Sequence, residues 1–211
     1  MKITKFVHSC LLVETPRQTI LIDPGTYSYQ SHLLRPAQLR GLDCIVITHG
    51  HPDHYSPEFL AAICAKFPHA MIITNNDLAS TIKKQKLPNK ISTGSHPGLQ
   101  VFPVAHEPLP LKQPLPDHIG VHIEDYLTCP GDALKLKASR EVLALPITAP
   151  WGSVKLALDA AVKLKPKKVI PVHDWHWHQQ ARDAMYAMSK ELLASKNIEF
   201  IAIQNADPVE I

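Results

Sequence analysis

Four side chains able to bind a metal, His49, His51, Asp53 and His54, fall within the segment His49-Gly50-His51-Pro52-Asp53-His54. Imidazole and carboxylate are the usual ligands of zinc, manganese and iron in catalytic sites. His49 and His51, at i and i+2 of a tight turn, can face the same way and reach one cation. Asp53 and His54 then open the next segment and point to a position slightly further on. Gly50 gives the turn backbone freedom and Pro52 fixes it. A surface loop has no need of three histidines and an aspartate at H-x-H-x-D-H spacing directly after an apolar run. No nucleophilic serine or cysteine competes with this segment: Gly94-Ser95-His96-Pro97 lacks the G-x-S-x-G turn.

The elements that must position these residues are short and punctuated by nineteen prolines. Strands are expected at Ile3 to Val7, Cys10 to Glu14 and Thr19 to Ile22, the last closing on Asp23-Pro24-Gly25. Ser31 to Leu42 is weakly helical in pattern, with Pro36 limiting its length. Cys44-Ile45-Val46-Ile47 is an apolar run that suits a strand buried on both faces, and the histidine-rich turn follows it directly. Ser56 and Pro57 read as N-cap and first residue of a helix to about Phe67. A strand (Ala70 to Thr74) and a helix (about Asn76 to Lys86) come next. Leu99 to Ala105 is a strand ending at His106. After a proline-rich loop, His118 to Glu124 and Tyr126 to Cys129 form a hairpin leading to Gly131-Asp132. A strand at Glu141 to Leu145 stopped by Pro146, a helix at Ser153 to Leu164 and a strand from Val169 to Val172 ending at His173 follow. A helix from about Trp175 to Ala194 and a strand from Ile198 to Ile203 finish the pattern. No repeat or linker interrupts it, so a single domain over 1–211 is expected.

Composition narrows the function classes. The chain has 211 residues, 45% of them hydrophobic and 19% charged, with a net charge of +3. That is ordinary for a folded domain with a sizeable core. The charge is too small, and its lysines too scattered, to suggest nucleic acid or an anionic membrane as partner. No apolar run approaches the roughly 18 residues of a membrane span, and residues 1–13 do not read as an export signal. The four cysteines (Cys10, Cys44, Cys64, Cys129) form no C-x-x-C pair and read as buried free thiols. A cytoplasmic location is therefore expected. A homo-oligomer stays open, because sequence does not separate an interface patch from the core.

The H-x-H-x-D-H segment after a strand resembles that of the metallo-β-lactamase-fold hydrolase superfamily. The resemblance runs through nearly the whole chain, because His106, Asp132 in Cys129-Pro130-Gly131-Asp132, and His173 in Val169-Ile170-Pro171-Val172-His173 follow in order. It implies an α/β four-layer αββα sandwich, with two mixed β-sheets flanked by helices. It also implies that His49, His51 and His106 hold one metal, Asp53, His54 and His173 a second, and that Asp132 bridges them. Strand ends on one sheet edge converge on one crevice, as ligand sites in α/β folds do. His51 stands where the flavo-diiron branch resembles H-x-E-x-D-H, which disfavours a redox diiron role. Asp132 stands where lactamases of this fold generally carry cysteine, which argues against antibiotic hydrolysis.

Further residues are candidates for the surroundings. Asp23 is placed to orient a ligand histidine. His8 in Val7-His8-Ser9-Cys10, and His118 before Ile119-Gly120, are similar to segments of the ascorbate-phosphate-lactonase-like branch, the first without that branch's glycine. His176 could reach the pocket rim, and Trp151 is a candidate pocket wall that also reads as a core residue. The resemblance implies two divalent cations, zinc first with manganese or iron as alternatives, and a hydroxide bridging them at neutral pH. Asp53 would then be both ligand and proton relay. The expected substrate is a small lactone, ester or phosphodiester. A mononuclear-iron dioxygenase of the same fold and a non-catalytic metal-stabilised binding protein are the alternatives.

Overall fold

A computed structural model describes all residues, Met1–Ile211. The chain falls into two compact units, Met1–His96 with Ile203–Ile211, and Pro97–Ala202.

The first unit begins as an antiparallel meander of β1 (Lys2–Lys5), β2 (Leu11–Glu14) and β3 (Thr19–Ile22). Thr15 closes the β2–β3 turn, its hydroxyl accepting from the Arg17 and Gln18 amides. Three strands then add in parallel: β4 (Cys44–Ile47), β5 (Met71–Thr74) and β6 (Ile91–Ser92). All four β4 residues are buried, as an apolar run covered on both faces requires. The final strand β13 (Pro208–Glu210) pairs antiparallel with β1, giving the order β13-β1-β2-β3-β4-β5-β6. Three helices accompany this sheet: α1 (Thr26–Gln30), α2 (Pro57–Lys66) and α3 (Asn76–Lys83). Helix α2 starts where the Ser56 hydroxyl accepts from the Phe59 amide, with Pro57 at the first helical position. It buries Phe59, Leu60, Ile63 and Cys64 in a core shared with Leu21, Ile45, Ile47 and Ile72 of the sheet.

The second unit repeats the plan. β7 (Leu99–Pro103), β8 (Ile119–Ile123) and β9 (Leu127–Cys129) form an antiparallel meander. β10 (Val142–Pro146), β11 (Lys168–Val172) and β12 (Glu199–Phe200) extend it in parallel, in the order β12-β11-β10-β9-β8-β7. Helices α4 (Val154–Leu164) and α5 (Gln179–Ala194) link the parallel strands. Ala157, Leu158 and Ala161 of α4 and Leu193 of α5 pack with Leu143, Leu145 and Val169 of the sheet.

Several element boundaries depart from the sequence expectation. Residues 31–42 are not an α-helix: α1 precedes them, and only Pro36–Gln38 makes a 3-10 turn, with proline at its first position. Pro146 belongs to β10 instead of stopping it, and α5 begins at Gln179, four residues after Trp175. The last expected strand, Ile198 to Ile203, shrinks to Glu199–Phe200. The two-residue β6 and three-residue β13 were not expected, being too short to carry a period.

Candidate metal centre

Within the first unit, β1, β3, β4 and β5 run in the same direction, and the chemistry-bearing residues follow their C-terminal ends. His8 follows β1, Asp23 follows β3, and His49 to His54 follow β4. The Asp23 carboxylate is the hub. It accepts from the Thr48 amide at 2.8 Å and from the Thr48 hydroxyl at 2.9 and 3.1 Å, and His54 Nδ1 donates to it at 2.8 Å. Because the Thr48 hydroxyl donates to Asp23, it can only accept at the 3.1 Å contact with His49 Nδ1. Asp23 therefore fixes both His54 and, through Thr48, His49 with the proton on Nδ1 and the lone pair on Nε2. Asp23 and its partners are buried.

His49 Nε2 lies 3.0 Å from His51 Nδ1, and His54 Nε2 lies 3.7 Å from Asp53 Oδ2. His8 Nε2 is 3.1 Å from the same Asp53 oxygen. Ligand atoms of His8, Asp53 and His54 all lie within 4.8 Å of one another. His8 and Asp23 both have positive φ, 59° and 46°, a strained backbone of the kind concentrated at functional sites. Gly25 makes room for the cluster. A Cβ there would fall 1.9 Å from the Asp53 carbonyl oxygen, so only glycine lets the two loops meet.

Within the second unit, β7, β9, β10 and β11 run one way, and His106, Asp132, the Thr148–Gly152 turn and His173 leave their C-terminal ends. His106 Nδ1 donates to the Glu107 carbonyl at 2.6 Å and His173 Nδ1 to the Thr148 carbonyl at 2.7 Å. A carbonyl only accepts, so both imidazoles present Nε2 as the lone-pair nitrogen. Those two nitrogens lie 3.4 and 3.2 Å from one atom, Asp132 Oδ2. His118 is a support: its Nδ1 donates to the Val104 carbonyl and its Nε2 accepts from the Asp132 amide at 3.0 Å. His173 has φ 65°. The next residue, buried Asp174, is held by Arg182 Nε at 3.1 Å and by the Tyr186 hydroxyl.

The donor chemistry fits divalent cations. Ligand atoms about 2.0–2.1 Å from a tetrahedral metal are about 3.3 Å from each other, the scale of the 3.0 to 3.7 Å edges here. One carboxylate oxygen facing two histidines suits a shared ligand. The four cysteines are buried and unpaired by disulfides. Burial pushes the Cys10 and Cys64 thiols up to about 12 and Cys44 to about 11, so they offer no thiolate near neutral pH. His176, whose ring centroid lies 6.4 Å from that of His173, and His178 at the N-cap of α5 are both exposed. Sequence reading missed Thr48 and Thr148 as orienting groups and Gly25 as the close-approach residue. Only Thr48 carries a sequence signal, being adjacent to His49; Thr148 lies 25 residues from His173.

The fold and this arrangement of side chains define a class. The structure is similar to the metallo-beta-lactamase fold protein YhfI from Bacillus subtilis, with a TM-score of 0.72 and 13% identity over 100% of this chain and 99% of that one. The chain has the metallo-β-lactamase fold. The family described as the metallo-beta-lactamase superfamily matches residues 3–57 of the chain. Protein Rv0786c of Mycobacterium tuberculosis is 29% identical over 203 residues, 91% of this chain and 92% of that protein. A UPF0173 metal-dependent hydrolase of Bacillus velezensis is 35% identical over 79 residues, 37% of this chain but only 33% of that relative.

Proposed function

We propose that the chain is a dinuclear metal-dependent hydrolase acting on a small lactone, ester or phosphodiester. His49, His51 and His106 would hold one divalent cation, Asp53, His54 and His173 the other, and Asp132 would be shared. The observation that carries this reading is Asp132 Oδ2, which faces the Nε2 atoms of two histidines whose Nδ1 protons are already committed to carbonyls. The same commitment of Nδ1 at His49 and His54 supports it from the first unit. Similarity to metal-dependent hydrolases supports the reaction type.

Bound there, a cation pair of zinc, or of manganese or iron, supplies Lewis acidity and lowers the pKa of water towards 7. The residues do the rest. Asp53, with Oδ2 held 3.1 Å from His8 Nε2, accepts the proton released during attack and later returns it to the leaving group. Asp23 keeps His49 and His54 from rotating, so no reorganisation is needed as charge develops. Histidine at position 51, rather than a carboxylate, keeps the set neutral-rich and favours hydrolysis over redox chemistry. The free cysteines suit a reducing cytosol. No helix is long and apolar enough to cross a membrane.

The test is metal quantitation on the purified chain, then a hydrolysis screen over lactones, thioesters and bis-(p-nitrophenyl) phosphate. Two cations per chain and turnover of one class, abolished in Asp53→Ala, are expected. One iron per chain with oxygen consumption, or a full metal complement with no hydrolysis of any class, would sink the proposal.

A further inference from the structure

The loop after β10 does more than link it to α4. Thr148 offers its carbonyl to His173 Nδ1 at 2.7 Å. Three residues on, the Trp151 indole Nε1 donates to Asp132 Oδ2 at 3.1 Å. The turn that presents the indole is written locally: Ala149-Pro150-Trp151-Gly152, with proline at its second position, glycine at its fourth and the Gly152 amide bonded to the Ala149 carbonyl at 3.0 Å. The indole also packs at an angle against both flanking histidines. Its ring centroid lies 6.0 Å from that of His106 and 5.7 Å from that of His173. One side chain thus touches all three candidate ligands of the second unit.

This matters because an aspartate carboxylate turns easily about its terminal torsion. Asp132 is fixed at its backbone by His118, which accepts from its amide, and that contact leaves the torsion unset. Trp151 donates its indole N–H to that carboxylate, at the oxygen that also faces His106 and His173.

We infer that Trp151 is a positioning residue for the metal centre: its indole N–H sets the orientation of the Asp132 carboxylate, and its ring spaces His106 and His173. The inference rests on the two-cation reading above. It deepens that reading by naming the residue that makes Asp132 able to serve two cations at once.

The experiment is a titration of chelator-stripped protein with Zn²⁺ or Co²⁺ against a chromophoric chelator. Trp151→Phe keeps a ring and loses the N–H. It should weaken binding of at least one cation by roughly 10–100-fold, the range for lost outer-shell partners. Trp177→Phe, which removes an indole packed among α4 and α5, should bind as the wild type does. A second measurement leaves Trp151 untouched: in a Trp175→Phe/Trp177→Phe chain it is the sole tryptophan, and Co²⁺ should quench its emission. Unchanged affinity in Trp151→Phe, an equal loss in Trp177→Phe, or no quenching of the sole tryptophan would each overturn the inference. Wild-type protein that takes up no cation would instead overturn the two-cation reading, and this inference with it.

Discussion

At the scale of single residues, the orienting groups carry as much of the design as the ligands. Asp23 receives three hydrogen bonds from Thr48 and one from His54, all within buried surroundings. Asp23→Asn keeps the shape and tolerates the positive φ, but loses the charge and one acceptor oxygen. The expected outcome is a roughly 10–100-fold loss of cation affinity with the fold retained, checked by chelator competition and circular dichroism. The candidate ligands were legible in the sequence, since H-x-H-x-D-H announces itself by composition. Thr48 and Thr148 were not, and Trp151 stood out only as a candidate pocket wall. A threonine or a tryptophan acquires such a role only from what folding brings beside it, and neither type is diagnostic of a metal site.

At the scale of elements, legibility follows length and period. The buried run Cys44–Ile47 and the capped helix Pro57–Lys66 stand where their patterns put them, because every residue in them speaks for the same element. The strands β6 and β13 escape notice, having two and three residues. The loops between elements are where the site is made, and there a glycine decides. With Cβ positions blocked by the Asp53 carbonyl oxygen at 1.9 Å and the His54 amide at 2.7 Å, Gly25→Ala must push the Asp53–His54 peptide away. Overpacking of this kind costs about 1–3 kcal/mol. The variant should therefore melt lower than the wild type and also lose metal uptake, read by thermal unfolding and elemental analysis on the same preparation.

At the scale of the whole molecule, both units use one plan: a three-stranded antiparallel meander, then parallel strands whose C-terminal ends bear candidate site residues. Cations held by these candidate ligands would add to the stability of the native chain. A ligand at 1,000 times its Kd stabilises by about 4.1 kcal/mol, and each kcal/mol moves the midpoint by roughly 2–4 °C at this size. Chelation should lower the thermal midpoint accordingly, and Zn²⁺ should restore it in calorimetry. No shift on chelation would count against cations that bind only the folded state.

The pairing of β13 with β1 also sets a timetable for biosynthesis. Thr4 partners Pro208, so one edge of β1 stays open while roughly 200 residues are translated, on the order of 10–40 s at typical rates. During that interval the nascent chain offers a bare strand to its neighbours. Lys2 and Lys5 sit on that strand, and charge on an edge discourages pairing with another chain. The β1 edge is therefore exposed in the ribosome-bound chain, and β13, once it arrives, covers it and becomes the edge strand in its place.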